Sequence, residues 1–169
     1  QGAGDKPNLS LPGRQRQLLE RLLAVGKPVV VLLASGSSLQ LDGLENHPNL
    51  RAIMQIWYPG ARGGLAVADV LFGAVSPSGK LPVTFYKNVD NLPAFEDYNM
   101  AGRTYRYMTD EALYPFGYGL TYSSVELSDL QVKSYEETAT ATVTIQNTGN
   151  FDTDEVVQVY VKDLESEFA

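Results

Sequence analysis

The sequence PVVVLLASGSS, residues 28–38, determines the fold that we expect for the first half of the chain. Residues 28–34 form a continuous apolar run that is rich in valine, which is typical of a strand buried on both faces of a parallel sheet. Residues 35–38, SGSS, then make a small polar turn at the carboxyl end of that strand, the edge at which open α/β sheets bind ligands. The stretch therefore predicts an α/β fold with a ligand-binding edge at residues 35–38.

The segments on both sides extend this prediction. Upstream, LPGRQRQLLERLLAVGKP carries Leu18, Leu19, Leu22 and Leu23 at helical spacing, and Gly26 provides a stop signal, so we expect an amphipathic helix. Downstream, AIMQIWYPG predicts a second strand, GGLAVADVLFG a helix, and SPSGKLPVTFY a turn and a third strand. Alternating strands and helices with short loops predict a mostly parallel sheet flanked by helices.

The pattern changes after residue 86. Residues 88–108 lack a period, and we expect an ordered connecting loop there. From about residue 121, VELSDLQVK, TATATVTIQN and DEVVQVYVKD each alternate apolar and polar residues, which predicts three antiparallel strands, with a turn at residues 147–150. A β-sandwich needs about seven strands, so three would leave it incomplete, with an edge that invites another chain.

The stretch YPFGYGLTYS, residues 114–123, separates these two patterns and has neither the helical nor the strand period. Its aromatic side chains suit a packed linker between domains. Gly117 and Gly119 would allow the backbone a sharp path there.

The composition excludes several classes of function. Twenty acidic against thirteen basic residues give a net charge of -7, which disfavours nucleic acid as a partner. The longest apolar run, residues 28–34, is far shorter than the roughly 20 residues that span a bilayer, so no membrane partner is expected. The chain has no cysteine and one histidine, His47, which excludes disulfides and His-rich metal sites. Without cysteines, cytoplasmic and secreted locations both stay open.

Six motifs together resemble one known family. They are GDKPNLSLPGRQ, KPVVVLLASGSSL, WYPGARGGLAVADVLFGAVSPSGKLPVTF, GRTYRY, LYPFGYGLTYS and NTGNFDTDEVVQVYV. In this order and spacing they resemble the C-terminal half of the glycoside hydrolase family 3 enzymes, the β-glucosidases and β-xylosidases. The resemblance implies part of an α/β sandwich domain at residues 1–88, an aromatic-rich interdomain linker at 89–120 and an incomplete fibronectin type III-like domain at 121–169.

The resemblance also implies a chemistry. Retaining glycosidases use two carboxyl groups about 5 to 5.5 Å apart. In the family, the nucleophilic aspartate comes from an N-terminal (β/α)8 barrel, and the acid/base glutamate precedes the motif that Gly4, Asp5 and Lys6 match. The amide of Gln1 cannot act as that acid. We therefore expect no catalytic residue in these 169 residues, no metal and no organic cofactor, and we expect the isolated chain to be inactive.

The implied role is to form one wall of the active site of an enzyme that hydrolyses terminal non-reducing β-D-glucosyl or β-xylosyl residues. The expected partners are the (β/α)8 barrel portion of the same enzyme, a β-linked oligosaccharide or glycoside, and further copies of the chain in a homo-oligomer. The alternative is a non-catalytic carbohydrate-binding or scaffolding module. The positions that bind the sugar are left undetermined.

Several residues have both a functional and a structural interpretation. Glu20 is interpreted as a solvated charge on the helix, and His47 as a surface or capping histidine. Asp5 and Lys6 would steady the acid/base loop, border the sugar pocket or simply begin a helix. The structural interpretation is favoured for each of them.

Three further segments also have both a functional and a structural interpretation. The turn at residues 35–38 lacks a phosphate-binding pattern, which favours a structural turn or the edge of a pocket. The segment WYPG, residues 57–60, ends a strand, and Trp57 is interpreted as a core or interface residue before a sugar contact. Arg103 and Arg106 alternate with Tyr105 and Tyr107, which favours contacts with a neighbouring domain over contacts with substrate.

Overall fold

The computed structural model describes residues 7–90 and 92–165, and these residues form two compact units. Unit 1 contains the described residues up to Gly64 together with Leu81–Gly117. Unit 2 contains Leu65–Lys80 and the described residues from Tyr118 onward. Asp5 and Lys6, and with them the predicted site next to the first motif, lie outside the described residues.

The predicted amphipathic helix is helix α1, Gln15–Ala24. Leu19 and Leu23 are buried in the core of unit 1, whereas Leu18 and Leu22 remain exposed. Gly26 ends the helix with a left-handed φ of 79°, and its N–H donates to the carbonyl of Leu23 at 3.2 Å. The leucine spacing and the glycine stop therefore produce the predicted helix.

Strands β1, Val29–Leu33, and β2, Leu50–Gln55, form a parallel pair. Their register pairs Val30 with Ala52 and Leu33 with Gln55, so both strands end at the same edge. The core lies on one face of this pair. It consists of the buried leucines Leu19, Leu23, Leu33, Leu39 and Leu41.

The expectation that β1 is buried on both faces is wrong. Val30 and Leu32 are 45% and 40% exposed, whereas Leu33 on the core face is 7% exposed. The sequence of β1 is as apolar as that of a strand covered on both faces. In this structure the leucines of the core cluster cover only one of those faces.

The predicted third strand of unit 1 does not form. Phe85 makes one isolated antiparallel bridge with Tyr114, in which its N–H and the carbonyl of Tyr114 lie 2.8 Å apart. Pro115 directly follows Tyr114 and has no N–H to donate, so the ladder cannot extend through that position. The segment therefore pairs with the chain around Tyr114 and not with β1 or β2.

The region that was predicted to be a connecting loop is ordered and contains one short helix. Helix α3 is Thr104–Tyr107 and is preceded by Gly102, which has a left-handed φ of 72°. The 3₁₀ helix Leu44–Asn46 lies earlier in unit 1. Helix α2, Gly63–Leu71, confirms the helix that was predicted from GGLAVADVLFG.

Unit 2 contains an antiparallel hairpin of strands β3, Val125–Tyr135, and β4, Thr138–Asn147. The register skips between Ser128 and Gln131, which places Asp129 and Leu130 opposite the single residue Val143. Asp129 has a left-handed φ of 55° at this bulge. In a regular strand Leu127 and Leu130 would lie on opposite faces, because side chains alternate. The extra residue at the bulge shifts this alternation by one, so that Leu130 lies on the same face as Leu127.

The strand that was predicted from DEVVQVYVKD does not join this hairpin, and residues 151–163 have no regular structure. Side chains hold the start of the segment instead. The hydroxyls of Thr121 and Thr153 lie 2.9 Å apart, and the amide of Asn147 donates to the carbonyl of Phe151 at 2.7 Å. The turn after β4 is confirmed, because the N–H of Gly149 donates to the Asn147 side chain at 3.0 Å.

Candidate functional site

The carboxyl edge of β1 and β2 carries the turn at residues 35–38. The buried hydroxyl of Ser35 donates to the carbonyl of Ser37 at 2.8 Å. At the end of β2, the amide nitrogen of Gln55 donates to the carbonyl of Ser35 at 2.8 Å and to its hydroxyl at 3.1 Å. The turn is therefore fastened to the neighbouring strand, as its structural interpretation predicts.

Two polar atoms at this edge are buried without a hydrogen-bond partner in the described structure, the hydroxyl of Ser38 and the side-chain oxygen of Gln55. Buried polar atoms normally have partners, since an unpaired one costs about 1–3 kcal/mol. These two atoms mark the edge as the candidate functional site. They can donate and accept hydrogen bonds, which is the chemistry that neutral hydroxyl-rich ligands need.

The WYPG segment follows β2 at the same edge. Trp57 has a left-handed φ of 52° and packs edge-on against the buried Phe85, with ring centroids 6.1 Å apart. Tyr58 is 78% exposed, and a Cβ added to Gly36 would lie 2.8 Å from its ring. Trp57 is thus half-buried against a core residue, while the ring of Tyr58 lies open over the turn.

A carboxylate fixes the chain that leads into α1. Asp42 accepts a hydrogen bond from the Ser10 hydroxyl at 2.7 Å and pairs with the Arg16 guanidinium at 3.0 Å. The backbone N–H of Gln40 also donates to the carbonyl of Leu9 at 2.8 Å. Residues 9–16 are therefore anchored beside the point where the described chain begins.

Glu20 and His47 have the structural roles that were predicted for them. Glu20 forms an exposed ion pair with Arg16, one helical turn away, at 2.9 Å. The hydrogen bonds of Arg16 to Glu20 and to Asp42 raise the pKa of Arg16. His47 caps a turn, because its Nδ1 accepts a hydrogen bond from the N–H of Asn49 at 3.1 Å.

The arginines and tyrosines of GRTYRY make contacts within unit 1. Arg103 donates to backbone carbonyls of its own loop, and Tyr105 stacks on Phe116 with centroids 4.5 Å apart. The guanidinium of Arg106 lies 5.8 Å from the centre of the Tyr107 ring. Whether any of them also contacts a neighbouring domain stays a prediction.

A small cleft lies near these residues, with a volume of about 40 Å³. It is lined by Tyr86, Lys87, Asn88, Gly102, Met108, Asp110 and Glu111. An ion pair between Lys87 and Glu111 lowers the pKa of the Glu111 carboxyl. The cleft has room for water but not for a sugar ring, so it is not a candidate substrate site.

Two other classes of site are absent from residues 7–90 and 92–165. No cluster of three or more histidine, aspartate or glutamate side chains there could hold a metal ion. No helix in this part of the chain is long and apolar enough to cross a membrane.

Two residues of these sites, Asp42 and Gln55, were not singled out from the sequence. Asp42 precedes Gly43 in a typical turn pair, and Gln55 interrupts the apolar run of residues 52–57, so each had a weak signal. Arg103 was singled out, but its contacts with the carbonyls of its own loop depend on the tertiary path of the chain.

The described residues thus define a domain of helices and small sheets whose polar side chains mostly hold turns and loops. The chain belongs to the glycosyl hydrolase family 3 C-terminal domain family, whose model matches residues 1–122.

Curated relatives match nearly the whole chain. It is 47% identical over 164 residues to a xylan 1,4-beta-xylosidase of Xylanibacter ruminicola, which covers 96% of the chain and 19% of that enzyme. It is 38% identical over 179 residues to a periplasmic beta-glucosidase of Salmonella typhimurium, which covers 96% of the chain and 23% of that enzyme. The chain therefore spans about a fifth of the length of these relatives.

Solved structures give the same result. A beta-glucosidase from Kluyveromyces marxianus aligns with a TM-score of 0.76 at 31% identity, over 87% of the chain and 19% of that protein. A family 3 beta-glucosidase from Bifidobacterium adolescentis aligns with a TM-score of 0.74 at 35% identity, over 86% of the chain and 23% of that protein.

Proposed function

We propose that the chain acts as the C-terminal portion of a retaining β-glycosidase that removes terminal non-reducing β-D-glucosyl or β-xylosyl residues. The observation that carries this proposal is the 47% identity to a xylan 1,4-beta-xylosidase over 96% of the chain. Identity at this level along nearly the whole chain makes a shared role more plausible than a shared fold alone.

In this proposal the chain contributes one wall of the active site and no catalytic carboxyl group. A (β/α)8 barrel portion of the same enzyme supplies the nucleophile, and a glutamate that precedes Gly4 supplies the acid. The carboxylates of Glu20 and Asp42 are held in ion pairs with Arg16, which supports a structural role for both.

The wall is the carboxyl edge of β1 and β2. Its support is the pair of buried, unpartnered atoms of Ser38 and Gln55, beside the exposed ring of Tyr58. Hydroxyl and amide groups bind sugar hydroxyls, and an aromatic ring can lie against a sugar ring. The Asp42 contacts with Ser10 and Arg16 would hold the preceding loop against this edge.

The domain organisation belongs to the same proposal. Residues 1–88 form part of an α/β sandwich domain, 89–120 an interdomain linker and 121–169 the first part of a fibronectin type III-like domain. Its support is the end of the family match at residue 122 and the antiparallel hairpin that begins at Val125. Association of the chain with further copies is a separate prediction of the same organisation.

The test is hydrolysis of nitrophenyl β-glucoside and nitrophenyl β-xyloside by the chain mixed with the barrel portion. We expect turnover of at least one substrate by the mixture and none by the chain alone. Absence of turnover in a mixture that forms a stable complex would argue against the proposal. Binding of gluco- or xylo-oligosaccharides by the isolated chain, without hydrolysis in the mixture, would support the alternative of a non-catalytic module.

A further inference from the structure

A loop of unit 1, residues 94–100, presents aromatic side chains to solvent. Phe95 and Tyr98 are 90% and 89% exposed, and Met100 is half-exposed. Two aromatic side chains carry about 300–500 Å² of surface together. Exposed aromatic surface of this extent on one short loop often has a function.

The loop is held in one conformation by Arg103. Its Nε donates to the carbonyl of Asn99 at 3.1 Å, and its Nη2 donates to the carbonyls of Ala94 at 3.2 Å and Asp97 at 2.6 Å. The carboxylate of Asp97 also accepts the backbone and side-chain N–H groups of Asn99, at 2.9 and 2.8 Å. The aromatic rings are therefore displayed on a preorganised loop, which lowers the entropic cost of binding.

The base of the loop is fixed as well. The N–H of Thr104 donates to the hydroxyl of Tyr86 at 2.8 Å, and the N–H of Gly102 donates to the carbonyl of Tyr107 at 3.2 Å. These contacts tie both Arg103 and its loop to the rest of unit 1.

We propose that residues 94–100 are a docking surface for the (β/α)8 barrel portion of the same enzyme, with Phe95 and Tyr98 as anchors and Arg103 as the positioning residue. This inference rests on the proposed function. The relatives are about five times as long as the chain, so most of their length is available to cover this loop. Because Glu96 and Asp97 lie between the two aromatics, the partner surface should combine apolar pockets with basic residues at their rim.

Two other occupants fit the loop less well. A symmetric contact between two copies would oppose Glu96 and Asp97 with their own equivalents, in a chain of net charge -7. A sugar site requires several convergent polar groups around its aromatic ring. Phe95 has no polar atom in its side chain, and the loop carbonyls of Ala94, Asp97 and Asn99 already accept hydrogen bonds from Arg103.

The test compares binding of the full chain and of a Phe95→Ser, Tyr98→Ser double variant to the barrel portion by calorimetric titration. We expect the double variant to bind about ten-fold more weakly or worse, as for other aromatic anchors. Both side chains are exposed, so the variant should keep the fold of the parent. Tyr135→Ser is the matched control, because Tyr135 is an exposed aromatic residue in unit 2 at the end of β3, and its binding should be unchanged.

A second variant tests the role of Arg103. Arg103→Lys keeps the charge but loses the planar fork that reaches three carbonyls. We expect weaker binding than in the parent, together with faster amide exchange confined to residues 94–104. Unchanged exchange there would remove Arg103 from the inference.

Each remaining outcome decides against a specific claim. Equal binding by the double variant and the parent would overturn the docking surface while leaving the proposed function intact. If the double substitution instead abolishes self-association, or binding of xylohexaose, with barrel binding unchanged, the surface belongs to a second copy or to a sugar. If the unaltered chain does not bind the barrel portion, the proposed function fails and the inference fails with it.

Discussion

At the scale of the residue, Gly119 shows how a single hydrogen atom in place of a side chain shapes unit 2. A Cβ at this position would overlap the carbonyl oxygen of Gly79, which is a backbone atom and cannot move aside easily. The carbonyl of Gly119 also accepts a hydrogen bond from the Lys80 ammonium at 2.9 Å. The close approach of the two backbones therefore requires glycine at position 119, whereas the sharp path that was expected in residues 114–123 occurs at Gly117, which has a left-handed φ of 81°.

We predict that Gly119→Ala lowers the free energy of unfolding by about 1–3 kcal/mol, because the added methyl group overpacks this contact. Gly64→Ala is the matched control, since Gly64 lies in α2 with open space at its Cβ position. It should stabilise the chain by up to about 1 kcal/mol through helix propensity. Urea unfolding of both variants measures the difference, and an equal effect of the two substitutions would contradict the account.

Glu155 is the second residue with a specific stabilising role in unit 2. It pairs with Lys80 at 3.2 Å, and both side chains are 16% exposed. A hydrogen bond from the N–H of Val156, followed by the contact with Lys80, lowers the pKa of Glu155 below its usual 4.5. Because the folded pKa lies below the unfolded value, this carboxylate stabilises the fold above pH 4.5 and loses that contribution as the pH falls through the folded pKa.

We therefore predict that Glu155→Gln destabilises unit 2 at pH 7 and that the difference from the parent shrinks below pH 4.5. Thermal melting at a series of pH values between 7 and 3 measures this convergence. Glu111→Gln serves as the control, because the Glu111 carboxylate is largely exposed and its loss should matter less at every pH. A difference between parent and Glu155→Gln that stays constant over this range would rule out the titration of Glu155 as its cause.

At the scale of the element, the β3–β4 hairpin has an exposed apolar face. The bulge at Asp129 keeps Leu127, Leu130 and Val132 on one side, and Ile145 lies opposite Leu127. All four of these side chains are more than half exposed. A two-stranded sheet with a bare apolar face is a surface that other chains can cover.

We predict that the isolated chain associates through this face. The double substitution Leu127→Thr, Leu130→Thr keeps side chains that suit a strand and removes the apolar surface, so it should shift the chain toward monomer in analytical ultracentrifugation. Lys133→Thr alters the opposite face of β3 and should have no such effect. A parent chain that sediments as a monomer at all concentrations would contradict the prediction.

The elements also show which structural features can be predicted from the sequence. Local patterns were sufficient for α1, for the parallel strands β1 and β2 and for the β3–β4 hairpin. They failed where pairing depends on partners distant in the sequence: residues 83–86 have strand composition, but they form one bridge only, between Phe85 and Tyr114. Residues 154–163 alternate apolar and polar side chains, as a strand does, yet they pair with no other strand among the described residues. Such alternation predicts which face of a strand is apolar, but it does not predict which strand lies beside it.

The candidate site follows the same division. The polar turn at residues 35–38 and the aromatic end of β2 could be located because they follow predicted strands. The roles of Asp42 and Gln55 could not, since each depends on contacts with Ser10 or Ser35, distant in sequence. An ordered loop was predicted at residues 88–108, but its display of Phe95 and Tyr98 was not, because that display depends on the carbonyl contacts of Arg103.

At the scale of the whole molecule, the chain matches curated relatives that are about four to five times as long. Its polar groups mostly maintain turns, and its exposed aromatic and aliphatic side chains form surfaces that a larger protein can cover. The bare face of β3–β4, the loop at residues 94–100 and the open side of β1 are three such surfaces. They are consistent with a supporting role beside a catalytic barrel.

The most direct measurement is the activity of a chimera in which this chain replaces the matching 164 residues of the Xylanibacter ruminicola xylosidase. If the chain forms one wall of a β-glycosidase site, the chimera will hydrolyse nitrophenyl β-xyloside with retention of configuration at the anomeric carbon. A chimera that folds, as shown by a cooperative thermal transition, but has no activity on β-xylosides or β-glucosides would contradict this account.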